Sequence, residues 1–329
     1  MNDTDPGTLP LVTAVIPTRN RPELLRRAVD SVLAQTYSNI EIVVIVDGPD
    51  PATVDALRVL NEPRLRIVAL TENVGGSEAR NIGVRESKGD WIAFMDDDDE
   101  WLPAKTEKQL KVALATNESL VFVASQFIAR GDKGDRVFPL YDMDPRTRFS
   151  DYLFCRTSIL GGTGYVQTST WFVSKLLANS VRFTKNLKRN QDVDWMLHAV
   201  EGEKAKFCLI MEPLAVYHSE HDSGRVSRHS DWRFHFEWAK ANRRYFSGKA
   251  FGYFISTICA EDAVQQGESI KAFFEIVRSM IRERAFSVRC LMYLFYYLLV
   301  SDRVRKTLRM LIFNLRRIKI GELRSEKQL

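Results

Sequence analysis

The chain has 329 residues, of which 45% are hydrophobic and 27% are charged, a composition that is typical of a soluble globular protein with one full α/β domain and an extension. The formal net charge of +5 is modest, and residues 282–329 alone carry twelve Lys and Arg against four Asp and Glu, so the excess basic charge lies in the tail. Four scattered cysteines, with no CxxC pair and no histidine at zinc-finger spacing, exclude a disulfide framework and favour reduced thiols.

The N-terminus and one apolar stretch bear on cellular location. Residues 1–10 contain acids and a proline but neither a basic nor an apolar segment, so we expect a flexible N-terminus, no secretory signal and a cytoplasmic protein. The apolar stretch from Cys290 to Val300 has eleven residues, well below the roughly 20 that span a bilayer as a helix. We do not expect it to cross a membrane.

Short runs rich in β-branched residues alternate with segments of helical period from residue 11 onwards. This alternation predicts four βα units and a mainly parallel central sheet flanked by helices. The predicted strands, in chain order, are residues 11–17, 40–47, 64–70 and 91–96. The predicted helices are residues 22–36, 53–60 and 77–87, and a fourth that Pro103 opens.

The polar residues of this region follow the predicted strands. In an open α/β sheet, ligands bind in the crevice beyond the carboxyl ends of the strands. Those ends are residues 17–20, 47–48, 71–73 and 96–99. We therefore expect the functional site at this edge of the sheet.

The later part of the chain, from residue 120, is less regular. Its pattern predicts strands at 120–129 and 168–174, a glycine-rich turn at 161–164 and a helix starting near Asp192. From about residue 226 the pattern is helical and ends in a basic amphipathic stretch.

Four consecutive aspartates, residues 96–99, end the fourth predicted strand. Neighbouring carboxylates at about 4 Å repel by roughly 1 kcal/mol in water and several-fold more in a partly buried cleft, so we expect a compensating positive charge. An oxygen-preferring cation, Mg²⁺ or Mn²⁺, would supply it and could also bind phosphate oxygens. The alternative is a solvated turn with a helix cap before Pro103.

Two common nucleotide sites lack their signature in this chain. The first loop has no GxGxxG, and Gly75 and Gly76 are not followed by the Lys and Ser or Thr of a phosphate loop, which argues against dinucleotide binding and nucleotide triphosphate hydrolysis. Asp47, at a strand end, either accepts hydrogen bonds from a base or ribose or forms a simple Asp-Gly turn. Arg80, on the helix after the two glycines, suits a phosphate or a structural carboxylate.

Two later segments carry further titratable groups. Asp192 and Asp194 come at the start of an apolar helix, where an acid can cap the helix and favour its dipole, and we prefer that interpretation for Asp194. Asp192 could instead deprotonate an acceptor hydroxyl if it faces the cation. His218 and His221 could each donate a ring nitrogen to the cation or be surface or packing residues.

Several ordered motifs together resemble family 2 glycosyltransferases of the GT-A fold, over about residues 11–225. VIPTRNR resembles V-I-P-T-Y-N-R, IEIVVIVDGPD resembles I-E-I-I-V-V-D-D-G-S, and NVGGSEARNIG resembles N-x-G-x-x-x-A-R-N-x-G. FMDDDDEWLP is similar to the metal motif F-x-D-x-D-D-x-W, and NQDVDW, after QTSTWFVS, to the acceptor-side segment that ends in Q-D or E-D. The resemblance implies a nucleotide-diphospho-sugar transferase fold with a nucleotide-binding half (11–118), an acceptor half (119–225) and a C-terminal helical extension (226–329).

The resemblance implies that five residues contact the nucleotide. Asp47 would contact a uracil-type base, with Pro17 and Thr18 beside it. Asp97 would contact the ribose, and Arg80 would face the diphosphate.

The resemblance also implies a metal site and a general base. Asp98 would coordinate the cation, with Asp96 in support, and His221 is similar to the late histidine that completes the metal site in many GT-A enzymes. Asp192 corresponds to the general base. Asp99 is expected to be structural.

The chain departs from the family pattern at four positions: Arg19 replaces Tyr, Val46 replaces the first Asp of the D-D-G-S pair, Pro49 replaces its Ser, and Gln191 replaces the commoner Glu. These changes weaken the base and ribose assignments. Asp98 and Asp192 are both present, so we expect an active enzyme.

The resemblance implies inverting transfer of a sugar from a nucleotide diphosphate, with a UDP-linked donor favoured, to a hydroxyl of a glycan or lipid-linked acceptor. Such a reaction serves cell-surface polysaccharide or glycoconjugate synthesis, and no nucleic acid partner is expected. One alternative is a catalytically silent module that binds nucleotide sugar or glycan. Another is a metal-dependent nucleotidyltransferase, which usually has an early Gly-rich loop with Arg or Lys that residues 17–22 lack.

The tail has apolar residues at helical spacing between residues 304 and 318, with basic residues interspersed. A basic amphipathic helix of this kind can lie in an anionic leaflet, which would make the enzyme peripheral to the cytoplasmic face of the membrane and would suit a lipid-linked acceptor. The alternative is a helix that packs on the catalytic domain or in a dimer.

Overall fold

The computed structural model describes residues 9–131, 134–156, 164–218 and 231–300, together with residues 304, 305 and 307. The chain divides into two compact units, one of residues 1–144 and 164–226 and the other of residues 145–163 and 227–329. Residues 145–163 thus group with the C-terminal helices, although the sequence analysis assigned them to the acceptor half.

The first unit contains the four βα units expected from the sequence. Strands β1 (Val12–Thr18), β2 (Ile40–Val46), β3 (Leu65–Ala69) and β4 (Trp91–Phe94) are followed in turn by helices α1 (Pro22–Leu33), α2 (Pro51–Arg58), α3 (Gly75–Glu86) and α4 (Lys105–Ala115). Strand β1 pairs in parallel with β2 and β4, and β2 pairs in parallel with β3. Proline opens α1 and α2, where its fixed φ suits the first turn and its missing N–H is not needed.

Further strands in the described residues extend this sheet: β5 (Glu100–Trp101), β6 (Val121–Arg130), β7 (Arg136–Phe138), β8 (Phe172–Ser174) and β9 (Lys206–His218). The strand order is β3-β2-β1-β4-β8-β6-β9-β5, and β7 pairs with β6. Strand β8 is antiparallel to β4 and β6, whereas β9 is parallel to β6. Helices α5 (Phe149–Phe154), α6 (Lys175–Ser180) and α7 (Gln191–Leu197) also precede β9 in the chain.

The core of the first unit lies on both faces of the sheet. Residues 42–46 of β2 are all fully buried, as expected for a continuous run of β-branched residues in a central strand. One face packs against α1, whose Leu25 and Val29 are fully buried, and on the other face Val43 and Ile45 pack with Ala79 of α3. The helices therefore hold the strands in place, and the loops at the strand ends carry the polar residues.

An aromatic cluster anchors the short helix α7 against the sheet. The Trp195 ring is fully buried, lies 5.1 Å from the Trp171 ring between centroids, and donates its indole N–H to the Val181 carbonyl at 2.9 Å. Phe183 stacks on both tryptophans. This packing positions the first turn of α7, which contains Asp192.

The regular elements of the second unit are all helices in the residues that the structure describes. It consists of α5 with α8 (Trp232–Ala241), α9 (Gly248–Phe254), α10 (Ala260–Gln265), α11 (Ser269–Arg282) and α12 (Val288–Leu299). Phe154 of α5 stacks on Phe246 at 5.1 Å between ring centroids and meets Phe254 edge to face. The helical extension predicted from residue 226 is therefore present from Trp232.

Within the described residues, no helix is both long and apolar enough to cross a membrane. The apolar stretch from Cys290 to Val300 forms most of α12. The predicted amphipathic helix at 304–318 lies almost entirely outside the described residues. Its Arg305 is described and is only 1% exposed, because it donates to the Tyr297 carbonyl at 2.9 Å and lies 3.5 Å from Glu261. This basic residue packs within the helical unit, so it is not one of the solvent-facing cations that the sequence suggested.

Candidate active site

The ends of β1 and β4 bring Thr18 and the aspartate run together. The Thr18 hydroxyl donates to the Asp97 carboxylate at 2.7 Å. Arg21, just before α1, reaches both Asp97 and Asp98 with one guanidinium nitrogen, at 3.3 and 3.4 Å. The connectivity of parallel strands therefore gathers these residues at one edge of the sheet.

The surroundings of Asp97 disfavour the ionised form of its carboxyl group. Burial raises the pKa of its carboxyl to about 6, and the charges of Asp98 and Asp96 act in the same direction. The Thr18 hydrogen bond and the Arg21 charge oppose this rise in pKa without cancelling it. A site with excess negative charge is suited to accept a cation.

Asp98 is buried, with a side chain that is 9% exposed. The Arg27 guanidinium donates to the Asp98 backbone carbonyl at 2.7 Å and lies 3.5 Å from the Glu100 carboxylate. Arg21 is the cation nearest to the Asp98 carboxylate among the ion pairs of the described residues, and at 3.4 Å the contact is long.

Asp99 is fully buried and has a structural role. Its carboxylate accepts hydrogen bonds from Gln167 and Ser169, both at 2.6 Å, and from the His218 backbone N–H at 3.3 Å. Burial raises its pKa well above the ordinary value, and the charges of Asp96 and Asp98 add to this effect. Asp99 thus ties the loop after β4 to β9.

Asp96 pairs with a cation from α3. The Arg80 guanidinium donates to Asp96 at 2.5 Å and to the Gln191 side-chain carbonyl at 3.5 Å, and it lies 5.5 Å from the Phe183 ring centroid. Gly76 leaves room for this arrangement, because a Cβ at that position would be 3.1 Å from an Arg80 nitrogen. Arg80 therefore links the end of β4 to the start of α7.

Asp192 lies in the first turn of α7, directly after Gln191. Burial raises the pKa of its carboxyl; the positive charge of Arg80 lowers this pKa and the negative charge of Asp96 raises it. Asn190, which precedes the helix, has a left-handed backbone with φ of 60°. The neighbouring Asp194 is turned inward and accepts a hydrogen bond from Thr184 at 2.6 Å.

Asp47 caps helix α3. Its two carboxylate oxygens accept the backbone N–H groups of Val74 at 2.7 Å and Gly75 at 3.0 Å, which satisfies N–H groups that a helix start leaves free. Asp47 thus has a structural role at the start of the helix that carries Arg80. Pro17 lies in β1 opposite Ile45 of β2, directly before Thr18.

The carboxylates of Asp96 and Asp98 are candidates to hold a cation that takes its other ligands from phosphate and water. Among the described residues, no group of three or more His, Cys, Asp or Glu could hold a metal ion. Mg²⁺, however, is usually bound by one or two carboxylates together with substrate phosphates and water, and Asp96 and Asp98 offer such a pair. His221 lies outside the described residues. His218 is buried, and its Nε2 lies 2.6 Å from Glu100.

The structure adds site residues that the sequence analysis did not assign. Arg21 bridges Asp97 and Asp98, and Gln167 reaches Asp99 at 2.6 Å and Asp96 at 3.4 Å. Arg21 could have been suspected, because a basic residue just beyond the first strand lies at the same edge as the acids. No local signal distinguishes Gln167, whose partners are about 70 residues away in the chain.

Comparison with known proteins places this fold and site in a family. Residues 13–171 match the model described as glycosyl transferase family 2. The chain is 30% identical over 252 residues to the putative colanic acid biosynthesis glycosyl transferase WcaA of Escherichia coli K12, an alignment that covers 72% of this chain and 85% of WcaA. It is 26% identical over 243 residues to the amylovoran biosynthesis glycosyltransferase AmsB of Erwinia amylovora, covering 71% of this chain and 78% of AmsB.

A solved structure shares the fold at low sequence identity. The crystal structure of Staphylococcus aureus TarS 1-349 in complex with UDP-GlcNAc aligns with a TM-score of 0.51 and 15% identity, and the alignment covers 89% of this chain and 77% of that one. The GT-A fold expected from the motifs is thus confirmed. The chain belongs to glycosyl transferase family 2, and it is a glycosyltransferase.

Proposed function

We propose that this glycosyltransferase moves a sugar from a nucleotide diphosphate to an acceptor hydroxyl with inversion at the anomeric carbon. The observation that carries the proposal is that Arg80 contacts both Asp96 and Gln191, and Gln191 directly precedes Asp192 in the first turn of α7. A carboxylate with a raised pKa beside a phosphate-binding and cation-binding group is suited to act as a general base near neutral pH.

In the proposed reaction, Asp192 takes the proton of the acceptor hydroxyl as its oxygen attacks the anomeric carbon. The bond from that carbon to the diphosphate oxygen breaks in the same step, so no covalent enzyme intermediate forms. The raised pKa of Asp192 supports this role, because a stronger base accepts the proton more readily. Burial raises the pKa of Asp192 most, and the positive charge of Arg80 opposes this rise.

Asp96 and Asp98 are the residues that would hold Mg²⁺ or Mn²⁺, and His221 would add a ligand. The cation would stabilise the negative charge of the departing nucleoside diphosphate. Arg80 would contact the diphosphate, and the position of its guanidinium beside Asp96 supports this role. Asp97 would accept a hydrogen bond from a ribose hydroxyl. The Thr18 hydroxyl donates to the Asp97 carboxylate and orients it.

The nucleobase of the donor would lie at the ends of β1 and β2, near Pro17, Thr18 and Asp47. Asp47 uses both carboxylate oxygens to cap α3, and each oxygen keeps a second lone pair for a ligand. We favour a uracil base and a UDP-linked donor, and the likeness in fold to TarS, whose structure was solved with UDP-GlcNAc, supports this choice.

The acceptor is proposed to be a glycan or lipid-linked glycan of a cell-surface polysaccharide, at the cytoplasmic face of the membrane. The names of WcaA and AmsB, which refer to colanic acid and amylovoran biosynthesis, support a polysaccharide product. Acceptor specificity depends on the loops between residues 130 and 190, because loops carry the side chains that vary between related enzymes.

A screen of nucleotide sugars with Mn²⁺ or Mg²⁺, which measures released nucleoside diphosphate, tests the proposal. We expect cation-dependent release that an acceptor glycan accelerates, and nuclear magnetic resonance of the product should show the anomeric configuration inverted. Release that is unaffected by a chelator, or a product of retained configuration, would contradict the proposal. Tight binding of a nucleotide sugar with no release in any acceptor mixture would instead identify a silent binding module.

A further inference from the structure

Helix α11 carries a row of large apolar side chains on the side that faces away from the core. Ile270, Phe274 and Ile281 are 77%, 66% and 63% exposed, and their spacing places them on one face of the helix. The opposite face, which includes Ala272 and Ile276, is fully buried. Helix α11 is thus apolar on two faces, of which only one packs within the helical unit.

Helix α12 repeats the arrangement. Val288, Met292, Phe295 and Leu299 are 70%, 52%, 44% and 76% exposed, and they recur at positions i, i+4, i+7 and i+11, which lie on one face. The opposite face is buried, as at Leu294. A single exposed apolar residue is ordinary, but two rows of exposed apolar side chains on neighbouring helices need an explanation.

The two rows adjoin. The Phe273 ring lies 5.4 Å from the Phe295 ring and 5.5 Å from the Phe274 ring, between centroids. Of the seventeen exposed large apolar side chains in the described residues, nine lie between residues 270 and 304. We define the α11–α12 face by the two rows: Ile270, Phe274 and Ile281 of α11, and Val288, Met292, Phe295 and Leu299 of α12.

The edge of this face is basic. Lys271, Arg278 and Arg282 are exposed, and their spacing of i, i+7 and i+11 forms a line beside the apolar row of α11. Arg289 is exposed in the corresponding position on α12. Two acids lie near this edge: Glu283, 3.4 Å from Arg243 and 3.8 Å from Arg282, and the half-buried Glu275 of α11, against the four exposed cations. The charge around the apolar rows is therefore net positive.

We infer that the α11–α12 face is a membrane-contact surface that docks on an anionic lipid leaflet. Apolar rows edged by Lys and Arg match the boundary between acyl chains and negatively charged headgroups. A second copy of the chain is a poorer partner, because two-fold docking of this face on itself would bring the basic edges together and would oppose association. The surface belongs to the helical unit and does not depend on the proposed sugar transfer.

Flotation of the full chain with phospholipid vesicles tests the inference. The chain should float with vesicles that contain phosphatidylglycerol, float less with phosphatidylcholine alone, and detach as salt is raised. The double variant Phe274→Glu, Met292→Glu should lower the bound fraction at least about tenfold, because both side chains would have to enter the apolar boundary. The matched control is Val59→Glu, Leu114→Glu, which changes exposed apolar residues of the first unit and should float as the wild type does.

Three results would overturn the inference. One is a wild type that floats with neither vesicle type, and another is a double variant that floats as well as the wild type at an unchanged melting temperature. The third is light scattering that shows a lipid-free dimer which the double variant converts to a monomer, without flotation of the wild type; this would assign the face to a second copy. Removal of residues 308–329 distinguishes the tail from the α11–α12 face as the membrane contact. Flotation that survives the truncation and is lost in the double variant supports the α11–α12 face as the contact.

Discussion

Arg80 and Asp96 form an ion pair in which a guanidinium nitrogen lies 2.5 Å from a carboxylate oxygen. The two side chains are 14% and 27% exposed, so this pair is largely shielded from water. Arg80 also reaches Gln191, one residue before the proposed base. A single cation of α3 thereby connects the end of β4 with the start of α7.

Arg80→Gln should therefore weaken both the fold and nucleotide binding. Asp96 would lose its partner, which we expect to lower the free energy of unfolding by about 1–3 kcal/mol. Loss of a charge facing the diphosphate should raise the dissociation constant of the nucleoside diphosphate at least about tenfold. Urea unfolding and calorimetric titration measure the two effects.

The control for this prediction is Arg66→Gln, which breaks the more exposed ion pair between Arg66 and Glu86. Such surface pairs contribute about 0–1 kcal/mol, and Arg66 lies on β3 away from the acids. Equal losses of stability and of nucleotide affinity in the two variants would contradict a special role for Arg80.

Gly76→Ala should disturb Arg80 without destabilising α3. The new Cβ would lie 3.1 Å from Arg80 and 3.5 Å from Gln191, so the Arg80 contact must shift, while alanine favours the helix. We expect nucleotide affinity to fall severalfold at unchanged or higher stability. The matched variant is Gly75→Ala, where φ is +81° with nothing within 4 Å; it should cost about 1–3 kcal/mol in stability and leave Arg80 in place. The prediction fails if Gly76→Ala binds the nucleotide as tightly as the wild type.

Arg21→Ala should increase the affinity of the site for a divalent cation. Arg21 lies 3.3 Å from Asp97 and 3.4 Å from Asp98, so it compensates charge that Mn²⁺ would otherwise compensate. Without it, we expect Mn²⁺ to bind several-fold more tightly in titrations that follow the paramagnetic signal of free Mn²⁺, and the chain to be less stable in a chelator. Arg26→Ala, which removes an exposed arginine of α1, is the control and should change neither. Weaker Mn²⁺ binding in Arg21→Ala would show that Arg21 supports the metal site.

Asp97 should make stability depend on pH in a characteristic direction. Its pKa in the folded chain is about 6, above the ordinary value of 3.8, so the folded state binds the proton more tightly than the unfolded state. The stabilisation from this proton is fully present below about pH 4 and is lost as the pH rises through 6. At pH 8 the ionised buried carboxylate costs up to about 3 kcal/mol.

Asp97→Asn tests this dependence in urea unfolding with a chelator present. The stability of the variant relative to the wild type should be highest at pH 8 and should fall as the pH is lowered from 8 to 4. The change of this difference with pH is diagnostic, because the pKa of about 6 already includes the opposing effects of the Thr18 hydrogen bond and the Arg21 charge. A difference that is constant between pH 4 and pH 8 would show that Asp97 has an ordinary pKa.

The parallel half of the fold could be predicted from the sequence because its signals are local. Strands β1 to β4 are apolar runs that end in polar loops, and prolines open α1 and α2. Strand β9 was not predicted, because Pro213 interrupts its pattern and its register against β6 shifts near Gln126. A proline inside an apolar run argues against a strand, and strand β5 has only two residues, too few to show a period.

The site could be located from the sequence, but its pairings could not. Strand ends identify the edge where residues 96–99 and Thr18 lie. The partners of each acid depend on tertiary packing: Arg21 is 76 residues from Asp97, and Gln191 is 111 residues from Arg80. For Asp47 the sequence offered contact with a base or ribose or a simple Asp-Gly turn; its use as the cap of α3 was not predicted, and only the backbone geometry shows it.

The central claim is that Asp192 is the general base, and Asp192→Asn tests it most directly. The measurement is acceptor-dependent release of nucleoside diphosphate at saturating Mn²⁺, alongside calorimetric binding of the nucleoside diphosphate, with the exposed Asp55→Asn as control. We predict that Asp192→Asn lowers the turnover rate by about a hundredfold to ten-thousandfold, while nucleotide binding and the Asp55→Asn rate stay close to those of the wild type. Transfer at the wild-type rate by Asp192→Asn would contradict the account.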